Sequence, residues 1–152
     1  MNLITKINIL VSQQPVIKAN LYMLGDQHGE VQFSRLHGCI IVSTLIGSFN
    51  GAGARVYVQG IKRIINSLHG EPFAILVDNS DMHGATPEAY EELERYNQWS
   101  MQKNLVAKAF IIPSKATIEI VKSHSPSITR QNIKSFKDKA SAIEWLEEQL
   151  GL

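Results

Sequence analysis

The run Phe73-Ala-Ile-Leu-Val77 is apolar at every position and is bounded by Pro72 and Asp78. With no polar side, it predicts a strand buried on both faces, the usual state of a parallel strand in an α/β sheet. Leu105 to Ile112 is a second such run, closed by Pro113, and both are expected to be adjacent interior strands. Ahead of them, Val31 to Leu36 and Cys39 to Phe49 read as two strands joined at His37-Gly38. Glycine at the second place permits the positive φ of a tight turn, so the pair predicts an antiparallel opening hairpin.

Helical spacing takes over between these runs. Tyr57, Ile61, Ile64, Ile65 and Leu68 fall on one face of a helix that Asn50 can cap and Gly70 can stop. After the central strand, Thr86-Pro87 is a helix start, because the threonine oxygen accepts from an orphan amide and proline suits the first helical position. That helix, to about Lys103, is expected to bury Ala89, Leu93, Tyr96 and Trp99. Ser114 can cap a short helix toward Lys122, Ser123 to Ser127 reads as a loop, and Asn132 to Phe136 as a weak strand. Asp138 caps a last helix burying Ile143, Leu146 and Leu150.

The order is therefore β-β-α-β-α-β-α-β-α: one α/β domain with a mostly parallel central sheet and an antiparallel opening hairpin. Residues 1–22 fit poorly, because Gln13-Gln14-Pro15 interrupts the strand-like Ile7 to Val11. They are expected to be an N-terminal extension or accessory strand ahead of a domain at 23–152.

Composition narrows the function classes. The 152 residues are 44% apolar, enough for one domain with a sizeable core. Fifteen Lys and Arg against fourteen Asp and Glu leave a net charge of +1, which argues against nucleic acid as a partner. The charges are uneven, however: Glu71 to Glu94 holds seven acids and no Lys or Arg, whereas Lys122 to Lys139 holds five bases and one acid. No apolar run reaches the length of a membrane span, and residues 1–22 lack the layout of a secretory signal. Cys39 is the only cysteine, inside an apolar run where it behaves as a small hydrophobe. A cytoplasmic location follows as the expectation, and self-association is left open.

The candidate site is the polar stretch after the central strand, Asp78 to Thr86, since ligands and partners of open α/β sheets meet them beyond the carboxyl ends of the strands. Asp78, Ser80, Asp81, His83 and Thr86 are its candidate binding and regulatory residues. Asp78, Asp81 and His83 match no metal-ligand spacing, and Met82 stands where an EF-hand needs an oxygen, so turn and capping roles are expected of them. Gly51-Ala-Gly53 precedes a helix, but Val56 replaces the third glycine of a dinucleotide fingerprint and no Walker-type lysine follows; helix capping is its expected use. No nucleophile elbow, paired cysteines or zinc-binding helix occurs. Tyr90, Tyr96 and Trp99 suit core packing better than a ligand box. No cofactor, metal or catalytic residue is expected.

The element order, the strand ending at Asp78-Asn79-Ser80, the helix from Thr86 and the terminal Phe136 to Leu146 run together resemble the SpoIIAA-like branch of the STAS-domain group, over about Gly29 to Leu150. The resemblance implies helices mainly on one face of the sheet and a non-enzymatic, regulatory role in binding a partner protein. In some members it implies a phosphorylation switch at the start of the helix after the central strand. Thr86 is the nearest match to that position, and the flanking Gly84-Ala85-Thr86-Pro87 lacks the group's Asp-Ser-Ser/Thr-Gly run. Some members of the branch also imply a second role, carrying or sensing an apolar small molecule or lipid. A carrier needs an apolar cavity of ~300 Å³ or more, whereas an interaction module is packed solid. An enzyme acting on a nucleotide or by hydrolysis ranks third.

Overall fold

The computed structural model describes residues 17–18, 26–112 and 114–152. Six strands form one sheet in chain order: β1 (Ile17–Lys18), β2 (Glu30–Leu36), β3 (Ile40–Phe49), β4 (Phe73–Ala85), β5 (Leu105–Ile111) and β6 (Ile133–Phe136). β1 to β3 pair antiparallel, and β3 to β6 pair parallel through crossover helices. The crossovers are α1 (Gly51–Asn66), α2 (Pro87–Ser100) and α3 (Lys115–His124), the last followed by a 3-10 turn at Pro126–Arg130; α4 (Lys139–Leu150) ends the chain. The runs at 73–77 and 105–112 are neighbouring interior strands, as their unbroken apolarity requires. The strand proposed at Ile7 to Val11 and the domain boundary at Met23 fall outside the described residues.

The sheet separates two apolar layers. On one side Phe33, Tyr57, Ile61, Ile75, Tyr96, Phe110 and Ile128 pack beneath α1, α2 and α3; on the other, Leu36, Ile40, Leu76, Ala109, Ile143 and Leu146 pack beneath α4. Alternation along β5 shows the division: Ala107, Ala109 and Ile111 face α4, while Phe110 and Ile112 face the other helices. Cys39 lies half-buried against the α4 layer.

Local chemistry accounts for the boundaries. At the hairpin, His37 and Gly38 both have positive φ (54° and 75°), and the Cys39 amide donates to the Leu36 carbonyl at 3.2 Å. The Asn50 side chain accepts from the Gly53 amide at 2.9 Å and from the His28 amide at 3.0 Å, so the glycines behind it serve the cap. Gly53 is also sterically required, since a Cβ there would lie 1.9 Å from the His28 carbonyl oxygen. Asp138 accepts from the Ser141 amide at 2.8 Å and caps α4, which buries Ala142, Ile143 and Leu146 but leaves Leu150 half-covered.

α1 ends at Asn66, ahead of the Leu68 expected on its apolar face, and Ser114 precedes α3 without a side-chain cap bond. Three further boundaries differ from the sequence expectation. α2 ends at Ser100 and residues 101–104 form turns. Ser123 to Ser127 is not a loop: α3 runs through His124, and Ser125 and Ser127 are buried, held by hydrogen bonds that no local pattern announces. The third difference is the largest. Asp78 to Ala85, expected as a polar loop, continues β4 as strand because β3 is long enough to pair with it to Phe49. Two register shifts, between Thr44 and Ile46 and between Gly47 and Ser48, each place one more residue on β4 than on β3, and such bulges re-aim the side chains beside them.

Candidate functional site

Backbone paired to β3 carries Asp78 and Asp81, while Ser80 and His83 stand at the two register shifts; an Asx-type turn of the kind expected of Asp78 holds Ser80. Asp78 and Ser80 are brought together: the Asp78 carboxylate accepts from the Ser80 amide at 3.0 Å and from its hydroxyl at 2.6 Å. Asp81 and His83 are exposed on the same stretch and, among the described residues, bond neither to each other nor to Asp78. Thr86 caps α2 as expected: its Oγ1 accepts from the Ala89 amide at 3.3 Å, and its own amide donates to the Phe49 carbonyl at 2.9 Å. This polar end of β4 therefore leads straight into the start of α2. An open groove of about 390 Å³ lies beside that start, lined by Pro87, Tyr90, Glu91, Glu94, Arg95 and His124, with the His124 ring stacked on Tyr90 at 4.3 Å.

The acidic face of α2 is smaller than its composition suggests. Glu92 pairs with Arg95 at 2.6 Å and with Arg55 at 3.5 Å, which leaves Glu88 and Glu91 as its exposed acids. Glu94 is turned inward onto Ser125 and Ser127. Burial alone would push its carboxyl up, but the hydrogen bonds from Ser127, Ser125 and Gln98 together outweigh it and hold the carboxyl below its ordinary value. Among the described residues no three His, Cys, Asp or Glu side chains converge as a metal would need, and no described helix is long and apolar enough to cross a membrane.

Beneath α2 lies a group that the reading of the sequence passed over. Lys108, in the middle of β5, is 2% exposed, and its Nζ donates to Asn97 Oδ1 at 3.1 Å. Asn97 Nδ2 donates in turn to Ser125 Oγ at 2.6 Å, and Ser125 Oγ to Glu94 Oε2 at 2.8 Å. Four residues from three segments thus form one ordered relay from a buried amine to a half-buried carboxylate. Burial pulls the Lys108 amine down to about 7. The signal was legible as the single charge in an otherwise apolar run, Leu105-Val-Ala-Lys-Ala-Phe-Ile-Ile112.

Lys108 borders a cavity of about 50 Å³ between the sheet and α2. Tyr96 contributes to both its wall and the core, with its ring 5.8 Å from that of Tyr57 and its hydroxyl without a well-formed hydrogen bond. Burial raises both phenols, Tyr57 to about 12. Asn79 lines the same cavity, 4% exposed, with an unpartnered Oδ1. Trp99 does not take part; it lies half-buried between the Lys62 and Lys103 ammonium groups, 4.9 and 4.7 Å from its ring.

Comparison with known proteins agrees with this architecture. The sequence matches the family described as SpoIIAA-like over residues 40–147. Among solved structures, the fold is similar to that of an uncharacterised protein of Shewanella loihica with a SpoIIAA-like fold, at 13% identity and a TM-score of 0.61, covering 82% of this chain and 98% of that one. A search among curated proteins finds no match. The family match spans the hairpin's second strand, both interior strands and all four helices to near the end of α4, and the chain belongs to the SpoIIAA-like family.

Proposed function

We propose that this protein is a non-enzymatic regulatory module that binds a partner protein through the polar end of β4 and the exposed start of α2. The observation that carries the reading is the presentation of Ser80, Asp81 and His83: three exposed polar side chains, Asp81 on backbone paired with β3 and the other two at the bulges on either side of it, ending at the Thr86 cap and the groove beside it. A pre-ordered edge loses little conformational freedom on docking, and conformational ordering is a main cost of association. Membership of the SpoIIAA-like family supports an interaction module in general terms. In this reading the protein works in the cytoplasm.

The alternative of an apolar carrier is disfavoured by the interior. The cavity beneath α2 is about 50 Å³, against the ~300 Å³ that a drug-sized ligand occupies. Of the larger hollows, one of about 310 Å³ is lined mostly by polar residues, among them Asn66, Glu71, Gln102, Lys103 and Asn104, and the one of about 530 Å³ at the opposite end of the sheet between Gly38 and Leu152 is an open surface groove.

The test compares partners captured from cells on immobilised wild-type protein, Thr86→Asp and Ser80→Asp. A protein that binds the wild type and loses affinity about tenfold or more, the effect of a like-charge or desolvation clash at an interface, supports the reading. If nothing binds the wild type specifically, or both variants bind the same partner unchanged, this edge is not the docking surface.

A further inference from the structure

We propose that the cavity beneath α2 binds a short monocarboxylic acid of two to four carbons, its carboxylate paired with Lys108 and hydrogen-bonded by the Tyr96 hydroxyl and the Asn79 amide. The site is separate from the docking edge and stands without it.

Charge is the first argument. An ammonium carries three N–H donors, and Lys108 uses one of them, on the neutral amide of Asn97. Among the described residues no carboxylate lies within 4.0 Å of its Nζ, since the ion pairs formed there involve other bases. Glu94, the acid at the far end of the relay, acts only through Ser125 and Asn97. Lysines are almost never fully buried unless paired; unpaired, this amine is pushed toward its neutral form. Besides Asn97 it faces the Tyr96 ring, 5.2 Å from Nζ, so the adjoining cavity has a place for an anion that the fold does not supply. A carboxylate there would also raise the amine from about 7 and keep it protonated at neutral pH.

Two further polar groups converge on the same space. The Tyr96 hydroxyl and the Asn79 side-chain oxygen border the cavity at 2% and 4% exposure; neither makes a well-formed hydrogen bond, the Tyr96 hydroxyl having only that of Tyr57 beside it. Buried polar atoms of native proteins are nearly always bonded, so two without a well-formed bond on one cavity mark an absent partner. The phenol is a donor suited to a carboxylate oxygen, and a half-turn of the Asn79 amide presents its NH₂ to the same group.

Size and wall chemistry fix the rest of the ligand. At roughly 10–15 Å³ for each water-sized group, 50 Å³ holds about four, the scale of acetate or propionate. Of the fourteen lining residues only Asn79, Asn97, Lys108 and Ser125 lack an apolar or aromatic side chain. Leu45, Val77, Met82 and Phe110 would meet a short alkyl tail, where a chain of waters would find few partners.

The experiment is a titration of the full chain, ¹³C-labelled at lysine Cε, with sodium propionate at neutral pH. The Lys108 signal is identified by its absence in Lys108→Met. Ligand-efficiency limits put so small a molecule at best in the micromolar range, so the titration extends to about 50 mM. The expected result is a saturable shift of the Lys108 signal toward the ammonium position in the parent. Binding to Lys108→Met, which has no Lys108 signal, is followed on the broadening of propionate's own methyl resonance and should be weakened about tenfold or more, the scale of losing a buried charge partner. Tyr96→Phe keeps the ring and its packing and should weaken propionate by roughly three- to tenfold, as expected for one hydrogen bond to a charged group; it tests the site should Lys108→Met fold poorly. The proposal is overturned if the Lys108 signal does not saturate, which would leave the cavity to water. It is equally overturned if Lys108→Met and Tyr96→Phe bind as the parent does, or if octanoate shifts the same signal as effectively as propionate.

Discussion

Lys108 Nζ and Asn97 Oδ1 stand 3.1 Å apart, and that single bond joins an interior strand to the helix above it. Because Asn97 also donates to Ser125, which donates to Glu94, the amine connects β5, α2 and the turn after α3 through one line of donors. A half-satisfied buried network is costly, so each link bears on the stability of the others.

The buried amine makes stability depend on pH in a defined direction. Lys108 lies at about 7 in the folded chain, well below the ordinary lysine value of 10.5. Below pH 7 both states carry the proton and the burial cost is fully present; between about 7 and 10 the unfolded chain holds a proton that the folded chain has released. Folding stability should therefore rise with pH in that window, by up to about 1.4 kcal/mol per pH unit for one proton. Lys108→Met removes the titration while leaving the other groups in place. Its stability relative to the parent, from urea midpoints at pH 7 and 9, should fall by up to about 3 kcal/mol across the interval. A difference that does not change with pH would show that Lys108 keeps its ordinary pKa.

Asn97→Ala should be severe for a surface-helix substitution. It strips the Lys108 amine of its hydrogen-bond partner, and a buried group left unsatisfied costs about 1–3 kcal/mol; it also removes the donor to the Ser125 hydroxyl, which keeps its bond to Glu94. A loss of about 3 kcal/mol, or a melting temperature lower by roughly ten degrees, is expected. Adding Lys108→Met should recover part of it, because one stranded group is then gone; strictly additive effects would mean that the two residues are not coupled.

The fold is legible in the sequence where one period or one cap decides the outcome. Five apolar residues at 73–77, the heptad-like Tyr57 to Ile65 face and the caps at Asn50, Thr86 and Asp138 are local signals, and each lies where it was expected. The length of β4 was not legible, because the polar residues 78–85 become strand only through a neighbour thirty-odd positions earlier, with bulges that leave no mark in composition. The relay was hidden for the same reason: Lys108, Asn97, Ser125 and Glu94 meet only in three dimensions, and the serines look like loop residues in isolation. A lone lysine in a run otherwise free of charge was the one visible clue.

Gly53→Ala tests the close approach behind α1. In an exposed helix interior alanine gains about 1 kcal/mol over glycine, so propensity alone favours the substitution. Here the new Cβ would lie 1.9 Å from the His28 carbonyl oxygen, a backbone atom that cannot swing aside. Overpacking of this kind costs about 1–3 kcal/mol, so thermal unfolding should show net destabilisation. A stabilised variant would mean that the segment at His28 yields readily.

At Thr86, cap and charge can be separated. The hydroxyl oxygen holds the Ala89 amide at 3.3 Å, and Thr86→Ala should cost about 1 kcal/mol through loss of that bond. Asp is an equally good cap, and its charge meets the positive end of the α2 dipole, worth about 0.3–1 kcal/mol. Against that gain stand the exposed Glu88 and Glu91 in the first two turns, whose like charge opposes it. The balance predicts Thr86→Asp within about 0.5 kcal/mol of the parent, with little change at high salt, where the dipole attraction and the repulsion between exposed carboxylates are screened together. Urea unfolding of parent, Thr86→Ala and Thr86→Asp at low and high salt checks both parts. If Thr86→Asp is destabilised as much as Thr86→Ala, the helix start does not accept a negative charge, and any phosphate at this position would unseat α2 instead of altering only the surface it presents.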